Sequence, residues 1–287
     1  MWIDWDVAAA TSIVLAVAVL LWRNARAGWA IGLRATAREL SLVLALYSVW
    51  QWAHEQAVTE VAGAREHALW LYDLQHSLHI PDEIALQKAV LPHGWLAQTL
   101  NGYYALVHVP ALICLLVWLF FGHRDRYPWV RNTLALLTAG CLFLQTIPMA
   151  PPRMFPELGF VDTGLLYGQS VYGRGGSGIS NQLAAMPSVH VGWALLVGLA
   201  AAVIGSSRWR WVVLLHPILT VVAVTATANH WYGDGIVAGA ILVVALAIVA
   251  AADRIAACWR DRVGEAHRPG ESMRITSVTP APTQSPS

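Results

Sequence analysis

Long apolar runs separated by short polar intervals make up most of this chain. A helix rises about 1.5 Å per residue, so about 20 mostly apolar residues cross the roughly 30 Å of a bilayer's hydrocarbon. Seven runs fit that requirement: residues 7–22, 39–58, 95–121, 132–150, 187–204, 211–228 and 235–252. The pattern predicts an all-α fold, a polytopic membrane bundle of about seven transmembrane helices. The first and last runs are the plainest. The second is weakened by Gln51 and Gln56 near its end.

The polar intervals carry their own signals. In 59–94, Trp70, Leu71, Leu74 and Leu78 recur at helical spacing, which predicts amphipathic helices lying along the interface. Pro81-Asp82-Glu83 then reads as the start of another short helix, with Pro and acids in its first turn. The interval 151–186 gathers Gly173, Gly175, Gly176 and Gly178, which predicts a mobile loop near the membrane surface. The last residues are rich in Pro, Ser and Thr. The organisation expected is an N-terminal span and cytoplasmic loop (1–38), a six-helix membrane domain (39–252) and a cytoplasmic, largely disordered tail (253–287).

Composition supports the membrane reading. Of 287 residues, 57% are hydrophobic and 12% charged, against about 25% charged in a soluble domain. Too few charges remain to cover a water-facing surface, so lipid must cover much of it. A net charge of +1 gives no reason to expect nucleic-acid binding. Cys114, Cys141 and Cys258 lack the spacing of a metal site or disulfide framework. Asp4 and Asp6 stand where a signal peptide would carry positive charge, so the first run is kept as a span.

Charge placement predicts orientation. With the N-terminus outside, the cytoplasmic segments hold 14 of the 18 Lys and Arg residues, and the outer ones keep Arg65, Lys88, Arg153 and Arg174. The same topology puts three polar clusters on one outer face: Pro151-Pro152-Arg153, Pro187-Ser188-Val189-His190 and Asn229-His230-Trp231-Tyr232-Gly233-Asp234. His230 and Asp234 are four apart, which on a helix is contact distance. A carboxylate bonded to one imidazole nitrogen fixes the tautomer and leaves the other nitrogen free to attack phosphorus or take a proton. His190, from another helix, suits a general acid because its ordinary pKa lies near neutrality. Arg153 and Arg174 offer forked donors that match phosphate oxygens, and Ser188 a hydroxyl at a helix start.

These residues resemble the type 2 phosphatidic acid phosphatase superfamily. Its second motif is Pro-Ser-x-His, here 187–190, and its third ends in His-x-x-x-Asp, here His230 to Asp234. Pro151-Pro152-Arg153 and the form Asn-His-Trp-Tyr look more like the branch that includes inositol phosphorylceramide synthases. The resemblance implies that His230 is a nucleophile forming a phosphohistidine, that Asp234 orients it, and that His190 is the acid. It also implies work without a metal or other cofactor on a lipid phosphate substrate, in a multi-pass cell-membrane protein. Two cations of the pattern are missing. Thr146 stands where the first motif has Lys and Val224 where the third has Arg. That loss leans towards a phosphodiester or a transferred head group, and general frequency in the superfamily leans towards hydrolysis.

Plainer roles compete for several of these residues. Ser188 can simply cap its helix. Arg153 can bind lipid head groups, and Asn229 and Tyr232 can serve as a cap and an interfacial aromatic. His108, near the middle of its apolar run, should face the bundle interior and bond a neighbour. His216 reads as unrelated to the site. Gly235 and Gly239 fit close helix packing. A transporter or scaffold that holds lipid without chemistry is the alternative from another class.

Overall fold

The computed structural model describes residues 4–24, 27–56, 63–170 and 182–266. Among these the chain is helical, and its one bridge of β type joins Met149 to Ala184. The chain forms two compact units, Met1–Leu246 and Ala247–Ser287. The first holds everything described below, up to the middle of the last helix.

Among the described residues eleven α-helices run in order: α1 (Trp5–Leu21), α2 (Gly28–Gln56), α3 (Ala64–Ser77), α4 (Glu83–Val90), α5 (Gly94–Leu106), α6 (His108–Gly122), α7 (Tyr127–Leu144), α8 (Thr163–Leu166), α9 (Val189–Ile204), α10 (Leu215–Ala226) and α11 (Tyr232–Ala266). Two helical stretches among these residues are long and apolar enough to cross a membrane: Arg208–Ala226, where a 3-10 segment leads into α10, and Tyr232–Arg260 of α11. A third exists if α5 and α6 count as one span, while α1 and α9 are apolar but shorter. α11 leaves Ile236, Val243 and Val244 more than half exposed, which is the surface expected of a helix that faces lipid. α2 runs unbroken across the expected 38/39 boundary, and α11 continues as helix through 253–266.

The third apolar run is not straight. α5 and α6 meet at a 46° bend. Pro110 explains it, because it has no N–H to give the Leu106 carbonyl, and its ring crowds that carbonyl. The ladder resumes at Ala111, whose N–H reaches the Val107 carbonyl at 3.0 Å. α1 and α2 form a hairpin in which the Ser12 and Ser41 hydroxyls each donate to the other's backbone carbonyl, at 2.7 and 2.9 Å. The main core lies between α6, α7, α9 and α11, around Leu119, Leu137, Leu196 and Leu242. Gly235 lets α11 approach α9, since a Cβ there would stand 3.3 Å from a Val191 methyl.

The segment 63–90 is helical, as the spacing predicts, and Asp82 caps α4 by accepting the Ile84 N–H at 3.0 Å. The following expectation needs correction. Residues 151–170, expected to be part of a mobile loop, instead fold as short turns around a second apolar cluster. Phe155 and Phe160 are buried there against Trp231, whose indole N–H donates to the Ala150 carbonyl at 2.9 Å. Aromatic burial, which alternation within so short a stretch does not reveal, holds this segment. The glycines at 173–178 lie outside the described residues.

Candidate functional site

The third cluster begins where α10 ends. Ala228 adopts a left-handed conformation, with φ 56°, and turns the chain back so that the Asn229 and His230 N–H groups both reach the Val224 carbonyl. His230 therefore precedes α11 rather than riding on it. It still meets Asp234, four residues on: Nδ1 lies 3.1 Å from Asp234 Oδ2 and 2.8 Å from the Ala185 carbonyl. Both neighbours are acceptors, so Nδ1 carries the hydrogen and Nε2 keeps the lone pair. The same Asp234 oxygen accepts the Trp231 N–H at 2.9 Å and caps the helix start. Burial pushes the His230 imidazole down to about 3; the Ala185 carbonyl opposes this and the Arg153 charge adds to it. The ring is neutral at pH 7.

His190, in the first turn of α9, brings its ring to 5.8 Å from that of His230, centroid to centroid. Tyr104 stacks on its other side at 4.6 Å. Ser188 is fully buried and caps α9, its hydroxyl accepting the Val191 N–H at 3.4 Å while its own N–H reaches the Asp234 carbonyl at 3.1 Å. The hydroxyl thus caps the helix as an acceptor, and its O–H remains a donor. Arg153 closes the group. Its Nη1 donates to Asn229 Oδ1 at 2.8 Å, its Nε lies 3.7 Å from Asp162, and its N–H reaches the Ala228 carbonyl at 2.9 Å. One small cleft is lined by Arg153, Asp162, Asn229, Asn101, Tyr104 and Gln169, with Gly164 and Ser170. The three sequence clusters thus meet in space. Arg174 lies outside the described residues.

A family model for the PAP2 superfamily matches residues 69–249, more than half of the chain. The chain belongs to the PAP2 superfamily. Membership makes phosphatase-type chemistry its coarse function. No curated protein and no solved structure matches it. The matched range takes in all three clusters. It also takes in the two positions where this PAP2 chain lacks a cation. Val224 is buried in the apolar interior, and the Thr146 hydroxyl is turned back to the Phe143 carbonyl at 2.7 Å. Among the described residues that line the cleft, Arg153 is the cation.

Several neighbours of the site were not legible beforehand. His108 bonds no neighbour through either ring nitrogen among the described residues, contrary to the bond expected of it. Its ring instead stands 5.0 Å from His190 and 5.7 Å from His216. His216, read from sequence as unrelated, lies 2.6 Å through Nδ1 from the Tyr103 hydroxyl. His108 opens α6 at the 46° bend, two residues before Pro110, and faces the interior as its polarity at mid-run predicts. Asn101, Asp162 and Gln169 reach the cleft from separate segments, and no spacing rule links them.

Proposed function

We propose that this PAP2 protein is a membrane enzyme that cleaves or transfers a lipid-linked phosphate through a phosphohistidine on His230. One observation carries the reading: two imidazoles, one in the first turn of α9 and one in the turn before α11, stand 5.8 Å apart between ring centroids, and the buried one presents an unprotonated Nε2. A phosphorus atom between them would be attacked by His230 Nε2 as the P–O bond to the lipid breaks, and the departing oxygen would take its proton from His190. A water or alcohol oxygen then attacks phosphorus, gives its proton to His190, and the P–N bond breaks to restore His230. Asp234 orients His230, and Arg153 pairs with phosphate oxygens that carry the developing charge.

In this reading the chain crosses the cell membrane seven times, with the site on the extracytoplasmic face, as the Arg and Lys distribution argues. Chemistry of this kind is proposed to run without a metal. The missing cations at 146 and 224 favour a phosphodiester or head-group transfer, as in the inositol phosphorylceramide synthase-like branch, over a dianionic monoester.

The test is release of phosphate from lipid monophosphates and diphosphates, and of phosphorylated head group or transferred product from phosphodiesters, by the purified chain in detergent micelles, with chelator and with or without added alcohols. His230→Ala and His190→Ala should each lower turnover by about two to four powers of ten. Acid-labile phosphate trapped on the protein should disappear in His230→Ala. Turnover near the parent's in that variant removes the nucleophile assignment, and activity abolished by the chelator removes the metal-free mechanism.

A further inference from the structure

The turn that carries His230 is short and has its two ends held from outside. α4 lies across it. Gln87 Nε2 donates to the Ala226 carbonyl at 3.1 Å, where α10 stops. One helical turn earlier, Glu83 Oε1 accepts the Tyr232 N–H at 2.8 Å, where α11 starts. Residues 83 and 87 are four apart and share a face of α4, so one rigid element spans residues 226–232 from start to end. α3 adds a second grip. Gln75 Nε2 donates to Glu83 Oε1 at 2.9 Å, and Gln75 Oε1 accepts the Gly233 N–H at 2.5 Å. A Cβ on Gly233 would stand 2.7 Å from a Leu71 methyl and would have to push it aside, so the glycine eases the close approach of α3.

These groups do not touch the cleft. Gln75, Glu83 and Gln87 are at most 2% exposed, and none lines the cleft described above. Gln75 and Glu83 satisfy first N–H groups of α11, which have no partner within the helix, and Gln87 holds the last carbonyl of α10. Asp234 caps Trp231 from within the same turn, so the Trp231, Tyr232 and Gly233 N–H groups are all engaged by side chains. A helix start fixed at three successive positions leaves little freedom for the residue just before it, which is His230. Burial pushes the Glu83 carboxyl up, against the pull of the Tyr232 N–H and other hydrogen bonds. Its Oε2 has no partner among the described residues.

We propose that Gln75 and Glu83 are positioning residues, which set the His230 ring through the backbone of Tyr232 and Gly233. This rests on the reading of His230 as nucleophile only for its effect on turnover; the placement of the ring is testable by itself.

The experiment uses the full chain in detergent, with Glu83→Leu, Gln75→Leu, Glu83→Gln and His230→Ala. Two readouts are taken per folded molecule: kcat and KM for phosphate release from dioctanoyl phosphatidic acid, and the rate at which diethyl pyrocarbonate modifies His230 relative to exposed His93, by peptide mass spectrometry. Glu83→Gln keeps an acceptor oxygen in the Oε1 position at nearly unchanged volume, so both quantities should stay within about threefold of the parent. Each Leu variant should lower kcat by about 10- to 100-fold with KM within about threefold, and should change His230 labelling by at least threefold. Leu variants with parental labelling and kcat overturn the proposal. So does a loss that Glu83→Gln shares, or one matched by loss of folded protein alone. If His230→Ala keeps full turnover, the nucleophile reading fails; if the parent releases no phosphate from this monoester, only the turnover arm is lost; in both cases the labelling rates decide the proposal.

Discussion

Asp234 holds His230 and the start of α11 with one oxygen: Oδ2 lies 3.1 Å from His230 Nδ1 and 2.9 Å from the Trp231 N–H. The carboxylate therefore fixes both the tautomer of the ring and the backbone that carries it. Asp234→Asn tests the charge. An amide oxygen in the Oδ2 position still accepts from Nδ1 and from the Trp231 N–H, but it lacks the negative charge that stabilises the positive charge developing on the ring as Nε2 attacks. The expected result is a fall in kcat of about two to four powers of ten with Tm changed by only a few degrees. Single-turnover phosphate release and thermal unfolding in detergent measure the two sides. A variant with parental kcat would mean that the charge does not matter.

Arg153 is a second point of coupling, because its guanidinium bonds Asn229, next to His230, and faces Asp162 in a side chain only 4% exposed. A lysine keeps the charge but not the planar fork, so it cannot serve Asn229 and a phosphate together. A hydrogen bond to a charged group contributes about 1.5–3 kcal/mol, or roughly 10- to 150-fold. Arg153→Lys should lower kcat/KM by about tenfold or more and weaken inhibition by inorganic vanadate. Unchanged steady-state constants would place Arg153 in the fold rather than on the substrate.

The depressed pKa of His230 predicts how stability depends on pH. In the unfolded chain this imidazole titrates near 6.5. In the folded protein it resists protonation down to about 3, chiefly because it is buried. The sign follows from linkage: below about 6.5 the unfolded chain binds a proton that the folded chain refuses. The contribution is fully present above that value and is lost as pH falls towards about 3. Melting temperatures at pH 7.5 and 5 should therefore differ less in His230→Gln than in the parent. An equal acid sensitivity in both would show that other groups dominate. The acid limb of the rate profile should not report His230 either, since its nucleophilic form persists.

The long apolar runs were legible because hydrophobic length is read directly from composition, and α9, α10 and α11 fall where 187–204, 211–228 and 235–252 place them to within a few residues, apart from the C-terminal extension of α11. The His190, His230, Asp234 and Arg153 grouping was legible because motif residues sit at run ends. What was not legible depends on a bend or on burial. The α5–α6 break turns on one proline, and His108, at that break, stands beside His190. The 151–170 segment looked like a loop because Phe155 and Phe160 carry no period, yet Trp231 gives both a packing partner. Glu83 was read as a first-turn acid of α4, and its second bond, to a helix start 149 positions away, has no local signature.

Ala228 gives a prediction in which two terms oppose each other. Its φ of 56° lies in the left-handed region, which costs an alanine about 1 kcal/mol relative to glycine. Its side chain is also fully buried in the Trp231 cluster, so removing the methyl forfeits about 0.8 kcal/mol of burial. The two nearly cancel, and Ala228→Gly should leave Tm within a few degrees of the parent with kcat unchanged. Ala228→Val adds bulk to a site with no room and a β-branch to a conformation that excludes it. Both effects act in one direction, so a loss of about 2–4 kcal/mol is expected. Because the Ala228 carbonyl accepts the Arg153 N–H, the valine should also disturb the join between the 150–160 turns and the His230 loop. Chemical unfolding of the three proteins in one detergent tests this. A valine variant as stable as the glycine variant would mean that residue 228 is not held left-handed.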